Sequence, residues 1–227
     1  MRRAENIAVV LTGREDARQM RRVLPACGWT ELRVDRFVAS IPGGDVRAWA
    51  QAVRLAGARR IIATVRRTAE QCPPRVRLTD ARRLSLYLLL LPLVDWVDIE
   101  LGSRLAGRVV RAARTLGKGA ILSWHDFSST PSLASLRALC GRARSRKPDL
   151  IKVAATVRKA GDMAALLSLA RDAGNRGRVV VVPMGDIPVA CRLAPLAAGC
   201  PFTYASLSES TAPGQPSFAT VQRLLYA

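Results

Sequence analysis

Lysine is almost missing from this sequence. It occurs only at positions 118, 147, 152 and 159, and arginine supplies the other 32 of the 36 positive charges. Histidine occurs once, at 125, so a His-based metal cluster is excluded. Cysteines stand at 27, 72, 140, 191 and 200, an odd number with no CxxC pair. That spacing indicates neither a zinc ribbon nor a disulfide framework, and reduced thiols fit a cytoplasmic protein. Aromatic residues are only 5% of the chain, too few for a base-stacking surface. No apolar run reaches the roughly 18 residues that a membrane span needs. The longest, Leu84–Val94, contains Ser85 and Pro92 and then meets Asp95. Near the N-terminus, charges return too soon after the apolar stretch for a signal peptide. Glycine-rich phosphate cradles are absent as well, since PGG at 42–44 and GKG at 117–119 read as turns.

Acidic residues are scarce, 17 against 36 basic ones, for a formal charge of +19. Such a surplus invites a nucleic-acid reading. Yet the arginines are spread along the whole chain with no basic tail, as on solvated helix faces. A positive field of this kind also favours anionic small substrates.

Hydrophobic residues make up 49% of the 227, enough to bury a large core. Short β-rich runs alternate with helical patterns throughout. Strands are expected at Ile7–Leu11, Glu31–Asp35, Arg60–Val65, Trp96–Leu101, Ala120–Trp124, Leu150–Ala154, Val179–Pro183 and Phe202–Ala205. Continuous runs such as IIATV and VVVVP suit parallel strands covered on both faces. Helical spacing marks Val46–Leu55, Leu133–Arg144 and Met163–Ala173. The Ser128-Ser129-Thr130-Pro131 segment offers caps and a first-turn proline. Gly57, Gly117 and Gly174 stand where helices should stop.

Successive strand starts lie 23 to 36 residues apart, and eight βα units point to a single (β/α)8 TIM barrel over residues 1–227. No linker or composition shift divides it. The competing doubly wound sheet often carries a glycine-rich first turn, and here that turn is LTGRED. In a barrel the chemistry sits at the C-terminal ends of the strands.

Lys152 is the most informative residue there. It lies inside the apolar strand DLIKVAA, where burial favours the neutral amine. A neutral amine attacks a carbonyl and forms a Schiff base, which a guanidinium cannot do. The plainer reading is a buried stem with the ammonium at the rim. His125 closes the neighbouring strand in ILSWHDF and suits proton transfer near neutral pH. Asp126 points the other way, as a structural partner or helix cap. Glu31 and Arg33 share one strand face, and Arg66 and Glu70 are placed to pair across one loop. The DIEL segment, with Asp98 and Glu100, puts a carboxylate inside the barrel without revealing its role. Met184, Arg192 and the segment from Ser210 to Gln215 follow the last two strands.

Together SWHDFSSTPS, IKVAA and YASLSESTAPGQPS resemble the type I 3-dehydroquinate dehydratase family, from about Ile7 to Leu225. LTGRED, ELRVD, DIEL and the 27-residue interval from His125 to Lys152 are similar to it too. The resemblance implies imine formation by Lys152, general acid/base work by His125 and pairing of that histidine with Glu70. It implies substrate binding by Glu31, Arg33, Arg66, Met184, Arg192, Thr211 and Gln215, with Arg192 on the substrate carboxylate. The sequence departs from the family pattern in Gln71-Cys72-Pro73-Pro74, where glycines are usual. It also has Thr211 and Cys191 for serines and Pro188 for glycine. The implied enzyme converts 3-dehydroquinate to 3-dehydroshikimate in the shikimate pathway, toward aromatic amino acids. It is expected to be a cytoplasmic homodimer needing no cofactor and no metal. An aldolase-like Schiff-base barrel is the alternative, against which the missing phosphate cradle counts.

Overall fold

The structure, a computed structural model, describes residues 4–72, 76–172 and 174–226. Its parallel strands are β1 (Ala4–Leu11), β2 (Cys27–Arg33), β3 (Ile61–Thr64) and β4 (Trp96–Glu100). They continue as β5 (Gly119–Asp126), β6 (Leu150–Thr156), β7 (Val179–Met184) and β8 (Thr203–Ser206). Strands β1 to β7 pair in sequence order, and β1 also pairs with β8. The ring is nearly closed: β7 and β8 lie side by side without ladder hydrogen bonds. This is the expected (β/α)8 TIM barrel.

Helices α1 (Ala17–Val23), α2 (Val34–Ser40), α3 (Val46–Leu55), α4 (Asp80–Leu90) and α5 (Ala106–Thr115) surround the first half. Helices α6 (Leu133–Arg144), α7 (Ala160–Arg171), α8 (Val189–Ala197) and α9 (Phe218–Tyr226) complete the outer layer. Alternation along each strand makes two cores. Outward residues such as Ile7, Val9 and Leu11 pack under the helices. Inward residues Ala8, Trp29, Ile62, Ile121, Val180 and Phe202 plug the barrel. Trp29 meets Phe202 and Trp96 at ring separations of 4.6 and 5.2 Å.

Several boundaries differ from expectation, for local reasons. Strand β2 starts four residues early and ends at Arg33, because Val34 and Asp35 already belong to α2. Its start was hidden by Gly28, where a Cβ would lie 1.9 Å from the Glu5 carbonyl oxygen. Only glycine permits that approach. Helix α6 is capped by Ser132, whose side chain accepts from the Ser135 amide. Ser128 and Ser129 instead donate to Asp126, which is the structural partner expected but caps no helix. Helix α7 runs from Ala160 to Arg171, so Gly174 is not its stop, and Ala173 lies outside the described residues. Gly57 and Gly117 do follow α3 and α5 with positive φ. No helix among the described residues is long and apolar enough to cross a membrane, and none of their side chains form a metal-binding cluster.

Candidate active site

The inward faces change from apolar to polar toward the C-terminal end of the barrel. On β4 the series is Trp96, Asp98, Glu100, and on β5 it is Ile121, Ser123, His125. On β6 Lys152 follows Leu150 with the same parity. All ten expected site residues line one pocket at this end.

Lys152 is 6% exposed. Its surround is not the apolar one expected. Nζ donates to Asp98 Oδ2 at 3.1 Å, lies 3.6 Å from Glu31 Oε1 and sits 4.1 Å above the centre of the Tyr204 ring. Asp98 also accepts from Ser123 Oγ at 2.6 Å and pairs with Arg66 at 3.1 Å. Burial pushes the Asp98 carboxyl up, but the Arg66 and Lys152 charges outweigh it and hold the group well below the usual carboxylate range. Glu31 accepts from Thr64 Oγ1 at 2.7 Å. Buried charges of both signs therefore neutralise one another around the lysine, as burial demands.

His125 Nδ1 lies 2.9 Å from Glu70 Oε2, with both side chains under a tenth exposed. Burial, reinforced by the Arg66 and Lys152 charges, holds the imidazole well below its usual value, so it is neutral at pH 7. Burial raises Glu70 to about 7 despite the pull of Arg66 and Arg67. With Glu70 ionised, Nδ1–H donates to the carboxylate and leaves the Nε2 lone pair for a substrate.

The expected pairing of Arg66 with Glu70 does not form. Arg66 turns from Glu70 to Asp98 and, at 3.5 Å, Glu100. Its neighbour Arg67 holds Glu70 instead, Nε to Oε1 at 2.9 Å. Arg33 keeps to the face it shares with Glu31 but is tied to Asp35 by bonds of 3.0 and 2.7 Å. Asp98, Ser123 and Tyr204 contact this cluster without having been singled out beyond the DIEL carboxylate. Their shared inward parity with Trp96, His125 and Phe202 was the available signal.

On the opposite wall, Arg192 is 5% exposed and has no carboxylate within 4 Å among the described residues. Its Nη1 donates to the Pro183 carbonyl at 3.0 Å and its Nη2 to those of Pro213, at 2.8 Å, and Gly185, while buried Nε has no partner among the described residues. Burial lowers its pKa from the usual guanidinium value. Gly214, at φ +66, lets this loop close over the guanidinium, since a Cβ there would lie 2.2 Å from Nη2. Gln215 Oε1 accepts from the Thr211 amide at 2.8 Å, which leaves the Gln215 amide NH₂ as a donor. Pro188 stands just before α8, and Pro73 and Pro74 lie outside the described residues.

The family model for type I 3-dehydroquinase matches residues 7–227. The 3-dehydroquinate dehydratase of Thermococcus gammatolerans is 36% identical over 196 residues, spanning 86% of this chain and 85% of that protein. The chain belongs to the type I 3-dehydroquinase family. A second relative, the 3-dehydroquinate dehydratase of Aquifex aeolicus, is 32% identical over 186 residues, 82% of this chain and 80% of its own. The crystal structure of the Aquifex aeolicus enzyme has a TM-score of 0.76 and 27% identity, covering 97% of this chain and 99% of that one. For the Geobacillus kaustophilus 3-dehydroquinate dehydratase the values are 0.81 and 25%, with 98% and 92% covered. Membership of the type I 3-dehydroquinase family makes the chain a lyase and decides against the aldolase-like alternative.

An arginine buried beside a pocket without a counter-ion suits a ligand carboxylate, which would pair with it out of water. Arg192→Ala is accordingly expected to weaken binding of a carboxylate substrate by about 2–4 kcal/mol, read as a rise in Kd. Arg192→Lys should recover only part, because an ammonium lacks the planar fork. Unchanged kinetics in the alanine variant would remove Arg192 from the site.

Proposed function

We propose that this protein dehydrates 3-dehydroquinate to 3-dehydroshikimate through an imine on Lys152. The observation that carries the reading is one pocket holding a buried lysine, a neutral histidine on a glutamate and an arginine without a counter-ion. Arg192 grips the substrate carboxylate through charge-assisted bonds. Thr211 and Gln215 cover the substrate from the last loop, Met184 packs against it, and Glu31, Arg33 and Arg66 supply polar contacts below.

Lys152 Nζ, after losing a proton, adds to the ketone, and the carbonyl oxygen leaves as water. The protonated imine withdraws electrons from the neighbouring carbon and acidifies its hydrogen. His125 Nε2 takes that proton, aligned by Glu70 through Nδ1. The electron pair forms the new double bond as the hydroxyl departs, and His125 returns its proton to make the second water. One water then hydrolyses the product imine and frees the lysine, so the net change is loss of a single water. Asp98 accompanies the nitrogen throughout as the anion nearest its positive charge. No step calls for a metal or organic cofactor.

Adding 3-dehydroquinate should produce growing ultraviolet absorbance from the conjugated product, and this should persist in chelator. Folded protein giving no such rise would overturn the proposal. A cytoplasmic homodimer belongs to the same proposal, and sedimentation velocity tests its oligomeric part.

A further inference from the structure

Glu70 divides its two oxygens between two partners. Oε2 faces His125 Nδ1 at 2.9 Å, while Oε1 accepts from Arg67 Nε at 2.9 Å and lies 2.8 Å from Nη2. Arg67 is anchored twice over. Its amide donates to Glu100 Oε1 at 2.7 Å, and Glu100 is in turn bound by buried Arg83. The Glu70 amide closes back on the Arg67 carbonyl at 3.0 Å, forming the short 3-10 turn Thr68–Glu70. Gly102 leaves room for the guanidinium, since a Cβ there would meet Nη2 at 3.3 Å. Arg67 thus sits between solvent and Glu70, half-exposed itself and covering a carboxylate that is 7% exposed.

We propose that Arg67 is a positioning residue for the reaction, holding Glu70 so that its free oxygen stays aligned on Nδ1 of His125. The inference rests on the proposed role of the Glu70–His125 pair. A carboxylate held at one oxygen only could rotate away from the imidazole, and His125 would then lose both its orientation and its tautomer. Arg67 also affects charge. The groups around Glu70 are Arg66 just after β3, Arg67 at the start of the turn, Glu100 on β4 and His125 on β5. Arg66 and Arg67 favour the carboxylate, whereas burial and Glu100 favour the acid. Without Arg67 the balance moves toward the acid, and Glu70 keeps its proton to higher pH.

The test is the pH profile of kcat for Arg67→Gln, Arg67→Lys, Glu70→Gln and the double variant, each checked for wild-type thermal melting. For Arg67→Gln the acid limb should move up by about one pH unit, with turnover near pH 7 lower by roughly 5-fold and largely recovered above the limb. KM should change little, because Arg67 does not line the pocket. Arg67→Lys should move the limb less. In the Glu70→Gln background, replacing Arg67 should have almost no further effect, whereas a purely structural role would lower activity there too. An unmoved limb in Arg67→Gln, with Glu70→Gln impaired, overturns the inference while leaving the pair's role standing. A wild-type profile in Glu70→Gln overturns the underlying reading itself.

Discussion

Borohydride added together with 3-dehydroquinate is expected to leave a stable mass adduct on the peptide that carries Lys152. Reduction converts the imine to a secondary amine that survives digestion, so the site of attack is read directly. Lys152→Ala should lose the adduct and lower turnover on the order of 10⁵-fold or more, the scale seen when a covalent nucleophile is removed. Lys152→Arg should be equally inactive, because guanidinium remains protonated. No other lysine can substitute. Lys147 is exposed, Lys118 follows α5, Lys159 precedes α7, and none lines the pocket. The surroundings of Lys152 sharpen the expectation. Asp98 and Glu31 face Nζ, so removing the amine leaves two buried carboxylates with less compensation. Thermal melting should therefore accompany the assay. An adduct on another lysine, or full turnover in a folded Lys152→Ala protein, would end the imine mechanism.

His125→Ala should separate the steps. Carbonyl attack needs Nζ, so an adduct should still be trapped, while turnover falls by roughly 10²–10⁴-fold as proton transfer loses its positioned group. The wild-type profile carries the matching signature. Glu70 ionises at about 7, which burial has raised from the usual carboxyl value. Below that pH Glu70 is protonated and cannot accept Nδ1–H, so the reactive tautomer is depleted; above it the carboxylate accepts and turnover rises. Because the two groups interact, the limb belongs to the pair. His125→Ala should lose this limb along with the rate. A variant that keeps the rate, or keeps the limb unchanged, would remove His125 from proton transfer.

Much of this architecture was legible along the chain. Continuous apolar strands alternating with amphipathic segments are local patterns, and repeated eight times they leave few topologies. Lys152 and His125 stood out because each is rare in the composition, the lysine inside an apolar strand and the histidine at the end of the neighbouring one. The early start of β2 was not legible, because Gly28 weakens a strand pattern locally. Its purpose appears only when the Glu5 backbone lies against it.

Partners were the harder part, and the reason is geometric. Period-two alternation determined that Lys152, Asp98, His125 and Glu31 face inward. It did not determine which of them meet, since strand register and barrel closure bring Asp98, 54 residues away, within 3.1 Å of Nζ. The pairing of Glu70 shows the same limit over four residues. Helical spacing would join Arg66 to Glu70, but the 3-10 turn Thr68–Glu70 is tighter and presents positions three apart instead. Arg67 therefore takes Glu70, and Arg66 is released to Asp98 and Glu100. The sequence by itself determined the barrel, its inward faces and the residues able to do chemistry. Tertiary structure alone decided which charges neutralise one another and left Arg192 without a counter-ion, because electrostatic partnership depends on distances that no spacing along the chain records.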